Sequence, residues 1–265
     1  MSGAVVFEVS GSLATVTLSH PGKFNAMSRA MWRELRVVFE AIQQRRDVHC
    51  VLVRGENGHF CAGGDISEYA GFRFEQASLR DFHENDVWGG LQAMLDCDVP
   101  ILAQIEGNCL GAGVEIASCC DIRLAAGSAR FGAPIAKLGF PMAPREAALV
   151  MRAVGELTAR EMLLSAAVLD AAEMKQRGFL NRVCAPAALA GVVQDLSERI
   201  AGLAPAAARQ NKQFFRSNYS PAQALLASHA TDLVVDSSAH AYRYADSAEH
   251  REGVMAFIDK RTPVF

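Results

Sequence analysis

The chain has no apolar run approaching the roughly 18 residues that a membrane span needs, so no membrane segment is expected. Its start, Met1-Ser2-Gly3-Ala4-Val5-Val6-Phe7, lacks the basic stretch of a secretory signal and leads straight into a strand pattern. Basic residues are not in excess: 26 Lys and Arg stand against 29 Asp and Glu, a formal net charge of −3, which argues against a general nucleic-acid binder. The seven histidines are scattered without HxH or HxxxH spacing, so no dedicated metal site is expected. The seven cysteines are odd in number, lie mostly in apolar surroundings and show no CxxC spacing. They read as reduced thiols of a cytoplasmic protein rather than a disulfide framework. There is no low-complexity linker either.

What is present is ample for one large core with an appendage: 265 residues, 51% hydrophobic and 21% charged. Val5 to Val9 and Ala14 to Leu18 alternate around Gly11-Ser12, which predicts a hairpin. Ser28 is the expected N-cap of a helix running to about Arg46, with Met31, Leu35, Val38 and Ile42 at helical spacing. Strand patterns recur at 50–54, 101–105, 122–125 and 180–184, mostly followed by glycine-rich turns and helices, which predicts an α/β protein with mainly parallel pairing. From about Pro186 the pattern is helical only. Leu189, Val192, Val193, Leu196 and Ile200 form one stripe, and Pro205 and Pro221 introduce later helices.

Two turns stand out. In Glu106-Gly107-Asn108-Cys109-Leu110-Gly111-Ala112-Gly113-Val114-Glu115-Ile116-Ala117-Ser118, small residues end a strand and an apolar helix begins with a carboxylate in its first turn. A helix N-terminus offers unpaired N–H groups and a positive dipole end, so it can hold a negative oxygen. The strand Cys50 to Gly55 leads likewise to a small-residue turn, Phe60-Cys61-Ala62-Gly63-Gly64-Asp65-Ile66. Two such turns can each aim one N–H at a common oxygen, the geometry of an oxyanion hole. Cys61 and Cys109 lie close by, with nothing in the sequence to lower their pKa, and read as packing residues.

These paired segments resemble the signature of the crotonase (enoyl-CoA hydratase/isomerase) superfamily. His20-Pro21-Gly22-Lys23-Phe24-Asn25-Ala26-Met27 is similar to that family's first loop, and Phe257-Ile258-Asp259-Lys260-Arg261-Thr262-Pro263-Val264-Phe265 to its C-terminus, so the likeness spans nearly the whole chain. The resemblance implies a spiral of stacked β-β-α turns over residues 1–195 with an acyl-CoA site. It also implies a helical segment over 196–265 that drives assembly into a homotrimer or hexamer. The substrate implied is an acyl-CoA thioester, with coenzyme A as part of the substrate and no separate cofactor. Carried over by motif position, the two oxyanion amides fall on Ala62 and Ala112, and the first catalytic glutamate on Glu115. Lys23, Phe24, Asp65, Ile66, Phe257 and Lys260 are the implied coenzyme A contacts. The segment Gly71 to Gly90, with Phe72, Phe74, Phe82, His83 and Trp88, corresponds to a variable region beside the acyl pocket.

The match fails at one place. Hydratases carry a second glutamate after Phe-Gly-x-Pro, and here Phe131-Gly132-Ala133-Pro134 is followed by Ile135. A water held between two carboxylates is the basis of efficient hydration, so one holder is missing. Three chemistries stay open: hydration or double-bond isomerisation by Glu115 alone, a second carboxylate supplied by Glu146, or decarboxylation of an acyl-CoA. A non-catalytic acyl-CoA-binding paralogue is the alternative outside enzymology.

Overall fold

The computed structural model describes residues 2–217 and 243–265. Strands β1 (Ala4–Ser10) and β2 (Leu13–Ser19) pair antiparallel, with Val9 opposite Ala14, as the alternation predicts. Ser28 then caps α1 (Arg29–Gln44), its hydroxyl accepting from Met31 N at 3.2 Å, and the helix buries Met31, Trp32, Leu35, Phe39 and Ile42. Strand β3 (Cys50–Gly55) returns parallel to β2. A 3₁₀ turn (Ile66–Gly71), α2 (Gln76–Asp81), a π-helical turn (Phe82–Val87) and α3 (Trp88–Asp96) follow.

The second pass gives β4 (Ile101–Ile105), β5 (Asn108–Leu110), α4 (Ala112–Cys119), β6 (Ile122–Ala126) and β7 (Arg130–Gly132). Then come α5 (Pro144–Val154), α6 (Glu156–Leu164), β8 (Val168–Asp170), α7 (Ala171–Gln176) and β9 (Arg182–Cys184). The larger sheet has the order β1-β2-β3-β4-β6-β9, parallel except for the first hairpin, and β5-β7-β8 forms a smaller one. The three-stranded sheet has no counterpart in the sequence reading.

Alternate residues of the central strands face opposite ways. Val51, Val53, Ile101, Ala103 and Ile105 join the main core with α1, α3 and α4, whereas Cys50, Leu52, Leu102 and Leu124 meet Leu189, Val193, Leu196 and Ile200 of α8 (Pro186–Ala201). Both faces are therefore covered, as parallel sheets require. The division drawn at residue 195 falls inside α8, which packs on the sheet on either side of it. Helix α9 (Pro205–Ser217) docks through polar contacts: Arg209 donates to Arg45 O at 2.7 Å, and Lys212 pairs with Asp121 at 2.7 Å. The helix expected after Pro221 lies outside the described residues. Helix α10 (Ala248–Ile258) meets the start of α9, where Glu249 accepts from Ala206 N at 2.9 Å. No described helix is long and apolar enough to cross a membrane.

Candidate active site

The two small-residue turns converge. Phe60 N donates to Glu106 O and Cys61 N to Asn108 O, both at 2.8 Å, and Leu110 N donates back to Cys61 O at 2.9 Å. Gly113 explains how closely they approach: a Cβ there would come 2.6 Å from Cys61 O, so only glycine lets α4 start against the other turn. Gly111 begins α4 with φ +49°, its own N–H bonded to Gly132 O at 2.8 Å, and its carbonyl accepts from Val114 and Glu115. The Ala112 N–H at the helix N-terminus has no acceptor among the described residues, and Ala112 lines a cavity of about 180 Å³.

The second amide that the motif match assigned is not free. Ala62 N already donates to Phe24 O at 3.0 Å, because the first loop passes beneath this turn. That loop is held there by Asn25, whose Nδ2 donates to Glu56 O and His59 O while Oδ1 accepts from His20 N. Ala62 is therefore corrected as a donor. Two residues on, Gly64 forms a parallel bridge with Met27 whose bonds use Gly63 O and Asp65 N, leaving the Gly64 N–H unpaired among the described residues. Gly64 lines the same cavity as Ala112.

Glu115, 9% exposed, sits one turn into α4 and lines this cavity. Burial, and then the charge of Glu146, push its carboxyl up to about 8. Ile135 stands in the cavity wall, as its motif position implies. Glu146, in the first turn of α5, is not part of the wall and is only 2% exposed. Its Oε1 lies 3.0 Å from His83 Nδ1, and His83 does line the cavity. The expectation that Glu146 itself supplies a carboxylate to the site is thus corrected: its carboxylate meets His83, which lines the cavity in its place.

An aromatic group closes the same side. Tyr69 makes edge contacts with Phe72, Phe82 and Phe140 at 5.8–6.3 Å, and the Arg73 guanidinium lies 3.7 Å from the Phe140 ring centre. Burial raises the Tyr69 pKa and lowers that of Arg73. Cys61 and Cys109 are fully buried, and burial pushes the Cys61 thiol up to about 12, so neither is poised as a nucleophile. All seven cysteines are free thiols.

The implied coenzyme A contacts divide. Ile66 lines the cavity with its side chain half exposed. Phe24 is exposed beside the same turn, its ring 4.5 Å from that of His59. Asp65 is buried and used internally, accepting from Lys23 Nζ at 2.6 Å and Ser67 Oγ at 2.7 Å. Its implied ligand contact is corrected to a tie between the two loops, which Lys23 shares. Phe257 and Lys260 lie at the end of α10 and are not in the cavity wall of their own chain. Gly64 and His83 are the residues the motif reading left without a role. The Gly63-Gly64 pair and a histidine in an aromatic segment are the only sequence signals for them.

The sequence model of the enoyl-CoA hydratase/isomerase family matches residues 8–265. A solved structure described as an enoyl-CoA hydratase/carnithine racemase from Magnetospirillum magneticum is 35% identical, with a TM-score of 0.92 over 99% of this chain and 95% of its own. AtuE of Pseudomonas aeruginosa is 31% identical, with a TM-score of 0.89 over 98% of both chains. The 2,3-dehydroadipyl-CoA hydratase of Escherichia coli (strain K12) is 30% identical over 94% of this chain and 93% of its own. The fold is the crotonase fold that the motifs imply. From a match over nearly its whole length, the chain belongs to the enoyl-CoA hydratase/isomerase family of enzymes.

Proposed function

We propose that the protein stabilises the enolate of an acyl-CoA thioester, with the Gly64 and Ala112 N–H groups holding the thioester oxygen and Glu115 moving a proton at Cα. The observation that carries this reading is the cavity that Glu115 shares with two amides lacking an acceptor among the described residues. Aligned donors in a dry site stabilise the developing oxyanion, and losing one costs ~3 kcal/mol of barrier. A carboxyl group with a pKa of about 8 keeps its proton at neutral pH, delivers it to Cα and recovers it in the next step. Such general acid–base action is worth roughly 10² to 10⁴ in rate. The reactions that fit are hydration of a 2-enoyl thioester and, through the ionised form of Glu115, which first takes a proton from the chain and then returns it at the other end of the dienolate, migration of its double bond. Coenzyme A is part of the substrate.

Ile135 in the cavity wall favours a second reading, decarboxylation. There the electron pair left by carbon dioxide forms the same enolate and Glu115 protonates Cα, with no second proton carrier needed. Incubation with 2-enoyl, 3-enoyl and malonyl-type thioesters distinguishes these reactions. Gain of water, unchanged mass with a spectral shift, and loss of carbon dioxide are their respective signatures. No change in any thioester would refute the enzymatic reading and leave a binding role.

A homotrimer or hexamer is part of the proposal. The C-terminal segment exposes Phe257, Ile258 and Val264, and Phe257 and Lys260 are absent from the cavity wall of their own chain. In an assembly a second copy would bring them to a coenzyme A tail. A light-scattering mass equal to the 28.5 kDa monomer at micromolar concentration would contradict it.

A further inference from the structure

The wall that lacks a second carboxylate at Ile135 holds His83 instead. His83 lies in the π-helical turn Phe82–Val87, an irregularity frequent at functional sites. Its Nδ1 is 3.0 Å from Glu146 Oε1, a contact spanning 63 residues, and no other group of the described chain bonds its Nε2. Arg145, beside Glu146, pairs with Glu84, beside His83, at 3.1 Å, so the two elements are fixed to each other at this point. Burying a carboxylate costs several kcal/mol that one ion pair does not reliably recover, so stability alone is a poor reason for Glu146 to be there. A carboxylate behind a histidine fixes the tautomer, with Nδ1–H donating to Glu146 and Nε2 left as the acceptor.

We infer that His83 is the second proton-transfer group of this site, replacing the carboxylate that Ile135 lacks, and that Glu146 is its positioning residue. The inference rests on the enolate reading of Glu115 given above. In hydration, Nε2 takes a proton from water as the water oxygen bonds to Cβ. The π electrons of the Cα–Cβ bond move onto the thioester oxygen, held by Gly64 and Ala112. As the enolate collapses, protonated Glu115 gives its proton to Cα. Imidazolium then returns the water's proton to the Glu115 carboxylate, so both groups end as they began and one water has been added.

The test uses crotonyl-CoA hydration together with exchange of Cα hydrogens of butyryl-CoA in D₂O. Wild type should do both. His83→Gln and His83→Ala should hydrate ~10²-fold more slowly, with added imidazole restoring at least tenfold to His83→Ala. Glu146→Gln should lower kcat with KM within twofold, Glu146→Asp should lose less, and Glu146→Gln should cost nothing further in the His83→Ala background. That non-additivity marks a residue acting through another. His83 variants hydrating within threefold of wild type overturn the assignment, as does a loss in a variant of wild-type melting temperature that imidazole does not restore. Additive costs of the two substitutions overturn the role of Glu146. Wild type that exchanges Cα hydrogens but does not hydrate overturns the role of His83 and leaves the enolate reading standing. Wild type that does neither removes the enolate reading itself.

Discussion

The Tyr69 hydroxyl stands over Gly64, so a Cβ added to Gly64 would overlap Tyr69 Oη. The tyrosine ring has little room to retreat, since Phe72, Phe82 and Phe140 pack around it and Arg73 lies 4.4 Å from its centre. Gly64 itself is not among the positive-φ glycines, so alanine is barred there by contact and not by backbone conformation. Gly64→Ala should therefore displace one oxyanion donor and lower kcat/KM by ~10² to 10³. Tyr69→Phe in the same chain removes the overlapping atom and should recover at least tenfold. Steady-state kinetics of the single and double variants check this, and a Gly64→Ala enzyme with wild-type kcat/KM would exclude Gly64 from the hole.

Glu115 is expected to trade stability for chemistry. Its folded pKa of about 8 lies above the ordinary value of 4.5, so between those pH values the folded chain holds a proton that the unfolded chain has released. Stability from this group therefore falls as pH rises through that window. Glu115→Gln removes the penalty. Urea unfolding should show the variant and wild type equal near pH 4.5, with the variant more stable by on the order of 3–5 kcal/mol at pH 8.5. A step that needs protonated Glu115 should slow above pH of about 8. A variant less stable than wild type at pH 8.5 would contradict the burial argument.

Ile135→Glu tests how the missing carboxylate is replaced. If His83 already carries the second proton, the substitution should change wild-type hydration by less than tenfold. In the His83→Gln background it should restore ~10². The new carboxylate would lie in the same cavity as Glu115 and should move the upper pH limit of activity upward, since a like charge disfavours ionisation. A gain of equal size in both backgrounds would mean that His83 and position 135 act independently.

Asp65 should matter for the loops more than for ligand charge. Its burial raises its pKa, yet the Lys23 and Ser67 hydrogen bonds win and hold it below the usual carboxylate value. Because the folded pKa is depressed, its contribution is present above the ordinary value of 3.8 and is lost as pH falls below it. Lys23 is 40% exposed, so solvent screening reduces the pair, and Asp65→Asn should cost ~1–2 kcal/mol at pH 7. Denaturation at pH 7 and at pH 3 checks both the cost and its decline at low pH.

Much of the architecture was legible because it depends on neighbours in the chain. The Ser28 cap, the hairpin about Gly11, and Glu115 in the first turn of a helix after a glycine-rich turn are all local patterns. What was not legible depends on which distant groups meet. Whether the Ala62 or the Gly64 amide is unpaired is decided by Phe24 O, some 40 residues away, brought beneath the turn by a loop in which Phe24 and Asn25 both have positive φ. The His83–Glu146 contact joins α5 to an irregular turn that no periodicity marks. Asp65 looked like a ligand contact because its motif position does not reveal the lysine that saturates it.

Exchange of Cα hydrogens is the most direct measurement of enolate stabilisation at Gly64, Ala112 and Glu115, because it needs neither water addition nor a second proton carrier. A saturated short-chain acyl-CoA incubated in D₂O at a pH of about 8 or above, where Glu115 is ionised, should gain deuterium at Cα with wild type, and Glu115→Gln should slow that gain by ~10² or more. No deuterium uptake with wild type, or equal uptake with Glu115→Gln, would contradict it.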